Sequence, residues 1–316
     1  MKISLITPAE KLSRAGNRTT AVRWARHLRD LGHRVGVAVN YNGDDVDLMV
    51  ALHAWRSAES IARFRALYPR RLLIVALTGT DIYEFQKTHP DITRHSMDLA
   101  DALVCLHGGV GEVIPPSAAA KLHVIHQSAP PLGRPRQPSK RAVDICVIGH
   151  LRDVKDPLRA AYAVRDLPAA SRLRVIHLGK AHDDTWGQTA RAEMARNPRF
   201  IWRGEVPGWM VRREFVKTHA MVLSSRMEGG ANVISEAIVA GVPVIASDIH
   251  GSIGLLGDDY PGYYPVGDAA ALRTLLLRAE NEPEFLADLA THGQRLAPLF
   301  RPEAERDAWR DVLARL

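Results

Sequence analysis

Residues 221–251, MVLSSRMEGGANVISEAIVAGVPVIASDIHG, constrain the fold more than any other stretch. The apolar run 221–223 reads as a buried strand, and a polar turn with Gly229-Gly230 follows it. Apolar residues then recur at helical spacing over 231–240, Gly241 closes the helix, and 242–246 reads as a second buried strand. Strand, glycine turn, helix and strand make the βαβ building block of a parallel sheet. Val233, Ile234, Ala237 and Ile238 share one helix face, Asn232 and Glu236 lie one turn apart outside it, and Glu228 stands on the turn.

A helix entered through two glycines presents free backbone N–H groups and the positive end of its dipole, which together hold a phosphate without a metal. Carboxylates beside it accept hydrogen bonds from vicinal hydroxyls. Diphosphate on the helix and hydroxyls on the acids are what a nucleotide-sugar requires. The same residues also suit a tight turn followed by an amphipathic helix with a solvated Glu, so the rest of the chain has to decide.

Along the chain, strand patterns at 3–7, 34–39, 48–52, 72–77, 102–106 and 122–126 alternate with helical ones, notably 19–31 and 57–68. Such alternation predicts a doubly wound α/β domain whose ligands gather at the carboxyl ends of the strands. Those ends carry Lys11, Arg14, Gly16, Asn17 and Arg18, then His53 and Arg56, then Thr80 and Asp81, with His107 and His126 at two more. Asp45 and Asp47 imitate a metal-binding DxD, but they precede a strand and read as caps or solubilising charges. Residues 129–141, APPLGRPRQPSKR, are a linker without apolar period. A second α/β domain begins at Val143, with strands at 145–148, 175–178, 200–203, 221–223, 242–246 and 263–266. Helical patterns at 269–280, 284–297 and 302–316 end the chain.

With 316 residues there is room for two domains of roughly 150 each. The net charge of +7 suits anionic partners. The arginines are scattered and no nucleic-acid-binding module is apparent, which argues against nucleic acid. Cys105 and Cys146 sit inside strand-like runs and read as buried thiols of a reducing compartment. The opening MKISLITPAE reads as a strand, not a signal peptide, and no apolar run approaches the ~20 residues of a membrane span. A cytoplasmic protein without stable membrane insertion is expected.

Glu228 and Glu236, followed by EAIVAGVPVIAS, resemble the E-x7-E signature of family-4-type glycosyltransferases with the GT-B fold. SRAGNR (13–18), ALHAWRSAESIARF (51–64), VALTGTDIY (75–83), GHLRDVKDPLRAA (149–161) and SSRMEGGANVISEA (224–237) resemble a narrower group, the selenosugar synthases of selenoneine biosynthesis. LLGDDYPGYYPVGD (255–268) and LAPLFRPEAERDAWRDVL (296–313) extend the resemblance over nearly the full chain.

The resemblance implies two Rossmann-like domains facing across a cleft, 1–140 on the acceptor side and 141–300 binding the nucleotide-sugar. Helix 301–316 would return to the first domain. It implies that Lys155 and Arg152 neutralise the donor diphosphate, with His150 standing where relatives carry Arg and donating one hydrogen bond. Gly229, Gly230, Ala231, Asn232 and Val233 would hold the diphosphate through N–H groups. Glu228 would contact the sugar and Glu236 the ribose, while Gly204, Glu205 and Val206 would meet the base through main-chain atoms. Gly16 and Asn17 would close over the phosphates.

The expected donor is a UDP-sugar, with no cofactor and no metal. A sugar hydroxyl as acceptor needs a general base such as Asp81 or His53. Selenophosphate, already anionic, needs only to be held, a task that suits Lys11, Arg14, Arg18, His53 and Arg56, with Thr80 and Asp81 beside them. The expected reaction is transfer of a hexosyl group, N-acetylglucosamine, from its UDP form to selenophosphate. Enzymes that supply selenophosphate or consume the selenosugar are the expected pathway partners. The alternatives are a conventional family-4-type hexosyltransferase acting on a saccharide or lipid, and a non-catalytic nucleotide-sugar-binding protein.

Overall fold

The computed structural model describes residues 1–11 and 16–316. The chain divides into two compact units. Unit 1 comprises Met1–Ser128, Glu228–Asn232 and Pro302–Leu316; unit 2 comprises Ala129–Met227 and Val233–Arg301.

In unit 1 the strands are β1 (Lys2–Ile6), β2 (Arg34–Ala38), β3 (Leu48–Leu52), β4 (Leu72–Leu77), β5 (Ala102–Cys105) and β6 (Leu122–Val124). They form one parallel sheet in the order β2-β1-β3-β4-β5-β6. Side chains along a strand alternate between faces. Leu48, Val50 and Leu52 therefore join one core with Trp24, Leu28 and Trp309, while Met49 and Ala51 join the other with Ile61, Phe64 and Met97. Burial on both faces is why β3, β4 and β5 read as unbroken apolar runs. The final helix, Pro302–Ala314, packs on the helix Gly16–Asp30 through an edge-to-face pair of Trp24 and Trp309, centroids 4.9 Å apart.

Unit 2 contains β7 (Val143–Ile148), β8 (Leu173–Leu178), β9 (Phe200–Trp202), β10 (Ala220–Leu223), β11 (Val244–Ser247) and β12 (Tyr263–Tyr264). Their order, β12-β11-β10-β7-β8-β9, again parallel, reverses between β7 and β10. The strand expected at 242–246 starts two residues later, because the Val242 N–H closes the preceding helix on Ala237 O at 2.8 Å. Gly241, at φ +69°, supplies the left-handed turn that this closure needs. The glycine-rich HGSIGLL forms a short helix, His250–Leu256, that apolar periodicity does not announce. The linker has neither helix nor strand, yet it is not loose. Arg136 donates to the carbonyls of Gly241 and Thr218, each at 2.6 Å, which fastens it to unit 2.

Both cysteines are buried and free, and burial pushes each thiol up to about 12, so neither offers a thiolate near neutral pH. Asp45 and Asp47 both pair with Arg71, at 3.2 and 3.1 Å, and Asp47 also accepts from the Lys2 N–H. Among the described residues no group of three or more His, Cys, Asp and Glu is placed to hold a metal ion. No described helix is long and apolar enough to cross a membrane.

Candidate active site

In unit 2 the chain reversal between β7 and β10 sends the loops leaving these strands in opposite directions, which opens a crevice at their carboxyl ends. A small cavity of about 10 Å³ lies there, lined among others by Gly149, His150, Lys155, Ser224 and Ser225. The loop after β7 is fixed from below and from the side. His177, buried under it, bonds Gly149 O through Nε2 at 2.9 Å, and burial pushes this imidazole down to about 4. The hydrogen therefore sits on Nε2. Gly149 O and Gly179 approach so closely that a Cβ on Gly179 would lie 1.8 Å from that oxygen. Trp202 Nε1 donates to Gly179 O at 2.8 Å, and the Gly179 N–H donates to Gly204 O at 2.8 Å. Ser224 Oγ donates to the carbonyls of Lys155 and Asp156, at 3.1 and 2.9 Å, so β10 sets the course of the lysine loop.

On this frame stand the expected donor residues. His150 Nδ1 accepts from the Lys180 N–H at 3.2 Å, which leaves Nε2 as its hydrogen-bond donor. Burial lowers the His150 pKa, and the charges of Arg152, Lys155 and Lys180 lower it further against the opposing Glu205. His150 is thus a neutral imidazole inside a cationic group. Arg152 and Glu205 are exposed, and Lys155 is half-buried. Lys180 joins the group although sequence reasoning gave it no role. The signal was present: it is a lysine directly after the glycine that follows β8.

The glycine motif belongs partly to unit 1, since Glu228–Asn232 groups there. A Cβ on Gly229 would sit 2.2 Å from Thr78 O, and one on Gly230 would sit 2.5 Å from Leu106 Cβ. Close packing is thus an independent reason for the two glycines. The helix Asn232–Val239 buries Ile234, Ala237 and Ile238, while Asn232 and Glu236 stay half-buried, as the stripe predicts for all its members but Val233. Glu228 and Val233 are half-buried as well, and Ala231 is buried.

At the carboxyl edge of unit 1 the backbone carries strain. His53 has φ +75°, a left-handed conformation uncommon outside glycine, and Asp81–Phe85 forms a π-helical turn. Asp81 explains the turn. It is fully buried, and its carboxylate accepts the N–H groups of Ala54 (3.0 Å), Thr78 (3.0 Å), Gly79 (2.7 Å) and Ile82 (3.2 Å). Asp81 thus anchors the loops after β3 and β4 through its carboxylate.

His53 is spent in a similar way. Its Nδ1 accepts from the Arg56 N–H at 3.1 Å and its Nε2 donates to Thr80 Oγ1 at 2.8 Å. Burial lowers its pKa despite the nearby Asp81, so it is neutral and has no lone pair left for a general base. Arg56 is exposed, with Cζ 5.6 Å from the centroid of Phe85, which stacks on Trp55 at 4.1 Å. Lys11 and Gly16 are exposed, and Asn17 and Arg18 are half-buried at the start of the first helix. Arg14 lies outside the described residues. The imidazole of His107 meets Tyr83 Oη at 3.0 Å, and burial lowers the pKa of His126.

Sequence reasoning also missed Glu305. This buried carboxylate accepts from Trp24 Nε1 (2.7 Å), from Arg23 Nε (2.8 Å) and from the N–H (2.9 Å) and hydroxyl of Ser128, with His27 Nε2 at 3.2 Å. Burial alone would raise its pKa; the bond from His27, the Arg23 charge and Ser128 outweigh burial and bring it to about 2.

Two doubly wound domains of six parallel strands each make the GT-B fold of glycosyltransferases. The family described as glycosyl transferases group 1 matches residues 134–296, just over half of the chain, and the chain belongs to that family. Over 103 residues it is 31% identical to a lipopolysaccharide 1,6-galactosyltransferase of Escherichia coli K12, a match spanning 31% of this chain and 29% of that relative. Among solved structures it is similar to HepE of Anabaena in complex with UDP and glucose, with a TM-score of 0.80 at 15% identity over 100% of both chains. It is also similar to a sucrose-phosphate synthase of Thermosynechococcus elongatus, with a TM-score of 0.78 at 15% identity over 100% of both chains. At that identity the likeness is one of fold.

Proposed function

We propose that this glycosyltransferase is a selenosugar synthase, which transfers a hexosyl group, N-acetylglucosamine, from its UDP form to selenophosphate in selenoneine biosynthesis. The observation that carries the donor half is the cationic group of Arg152, Lys155 and Lys180 around a neutral His150 at the strand reversal of unit 2. Lys155 and Arg152 neutralise the diphosphate, His150 adds one hydrogen bond, and the N–H groups from Gly229 to Val233 complete its cradle without a metal. Glu228 accepts from sugar hydroxyls and Glu236 from the ribose, while Gly204, Glu205 and Val206 meet the uracil edge and Gly16 and Asn17 cover the phosphates.

The acceptor half is supported by what the edge of unit 1 withholds. Asp81 and His53, the two candidate bases, are both committed to internal hydrogen bonds. A hydroxyl acceptor would look to such a base, whereas an anionic selenium nucleophile needs only cations to hold it, a role we give to Lys11, Arg14, Arg18 and Arg56 together with Thr80. Selenium attacks C1, the C1–O bond to the diphosphate breaks, and UDP leaves with the electron pair. Water then attacks phosphorus and cleaves the P–Se bond, which leaves the selenosugar and inorganic phosphate.

A second reading, hexosyl transfer to a saccharide or lipid, is favoured by the half-buried Trp55–Phe85 stack at the same edge. Aromatic faces of that kind suit a partly apolar acceptor. The test mixes pure protein and UDP-N-acetylglucosamine with selenophosphate or with a saccharide panel. UDP release and a new C–Se product with selenophosphate are expected; release with saccharides alone assigns the second reading.

A further inference from the structure

Arg23, on the Gly16–Asp30 helix, is the cation that links the Glu305 carboxylate to the glycine motif, and all three belong to unit 1. Its Nε donates to both oxygens of Glu305, at 3.1 and 2.8 Å, and its Nη1 donates to Asn232 Oδ1 at 3.0 Å. Its Nη2 is buried with no hydrogen-bond partner among the described residues. Glu305 cannot turn away, because Trp24 and Ser128 hold the same carboxylate. A planar guanidinium fixed by such a fork keeps its charge and loses little freedom on forming a further bond.

Asn232 is the first residue of its helix. Arg23 holds the Asn232 side-chain oxygen, which sets a positive charge beside the first residue of the helix.

We propose that Arg23, locked by Glu305, is a positioning residue for the donor diphosphate. It acts by holding Asn232 through its side-chain oxygen and by adding a fixed charge at that end. This rests on the reading of the Asn232–Val239 helix end as the diphosphate site.

The test measures calorimetric binding of UDP and of uridine to the full chain, wild type, Arg23→Gln and Arg23→Lys. For Arg23→Gln, UDP is expected to weaken about tenfold while uridine is unchanged, and Arg23→Lys should restore part of the loss. Arg23→Lys keeps a charge against Glu305, so it serves as the folded comparator if Arg23→Gln is unstable. A merely structural role would lower the melting temperature and weaken UDP and uridine alike. That outcome, or UDP affinity unchanged in both variants, overturns the proposal. Wild-type protein that binds neither compound overturns the donor reading and this proposal with it; UDP binding indifferent to Arg23 overturns this proposal alone.

Discussion

The two units present the same kind of edge, the carboxyl ends of six parallel strands, and stiffen it by different means. Each passes the chain close to backbone at a glycine, Gly179 in unit 2 and Gly229 in unit 1, but unit 2 braces its pass with His177 and Trp202 and carries Arg152, Lys155 and Lys180 at the rim. Unit 1 uses carboxylates: Asp81 gathers backbone N–H groups, and Glu305 ties the last helix to the first. The difference teaches that a charged residue at a strand end is not thereby a ligand. Burial and saturation by internal donors decide whether it holds the fold or stays free to meet a substrate.

The largest expected effect concerns the close pass in unit 2. Gly179→Ala drives a methyl group into a carbonyl that cannot retreat and should cost more than about 3 kcal/mol. Gly108→Ala, at a strand end of unit 1 with nothing within 4 Å of its Cβ, should leave the melting temperature unchanged. Equal denaturation midpoints for the two variants would break the comparison.

Acid should separate the struts. Glu305 has a folded pKa of about 2 against an ordinary 4.5. Its contribution of about 3 kcal/mol is full above pH 4.5 and lost as pH falls toward 2. His177 is buried neutral with a pKa of about 4 against 6.5. Its share, also about 3 kcal/mol, is full above pH 6.5 and lost as pH falls toward 4. Denaturant unfolding across pH, with His177→Gln and Glu305→Gln as references, should show the His177-dependent loss beginning about 2 pH units above the Glu305-dependent one.

Smaller effects sharpen the contrast between a rim cation and an anchoring carboxylate. Lys155→Ala should lower kcat/KM about 100-fold. Asp81→Asn, whose NH2 would face backbone donors, should cost about 2 kcal/mol of stability. It should leave the acidic limb of the pH–rate profile where it was. An acidic limb that disappears with Asp81→Asn would restore Asp81 as a base.

Much of the scaffold is legible locally. β3, β4 and β5 are apolar on both faces, so composition alone locates them, and the glycines around residue 230 and at 241 mark real turns. The cationic loop after β7 could be read because its residues are near neighbours in sequence. The helix His250–Leu256 could not, since two glycines in seven residues blur the period.

By itself the amino-acid order determined two parallel α/β domains, their loaded strand ends and the helix that follows Gly229-Gly230, because periodicity and turn chemistry act over a few residues. Only the tertiary structure decided that Asp81 is an anchor, that His53 is neutral and engaged, and that Arg23 joins Glu305 to Asn232. Those partners lie up to 282 residues apart along the chain, and a hydrogen bond closed across that separation leaves no mark on the sequence around either end.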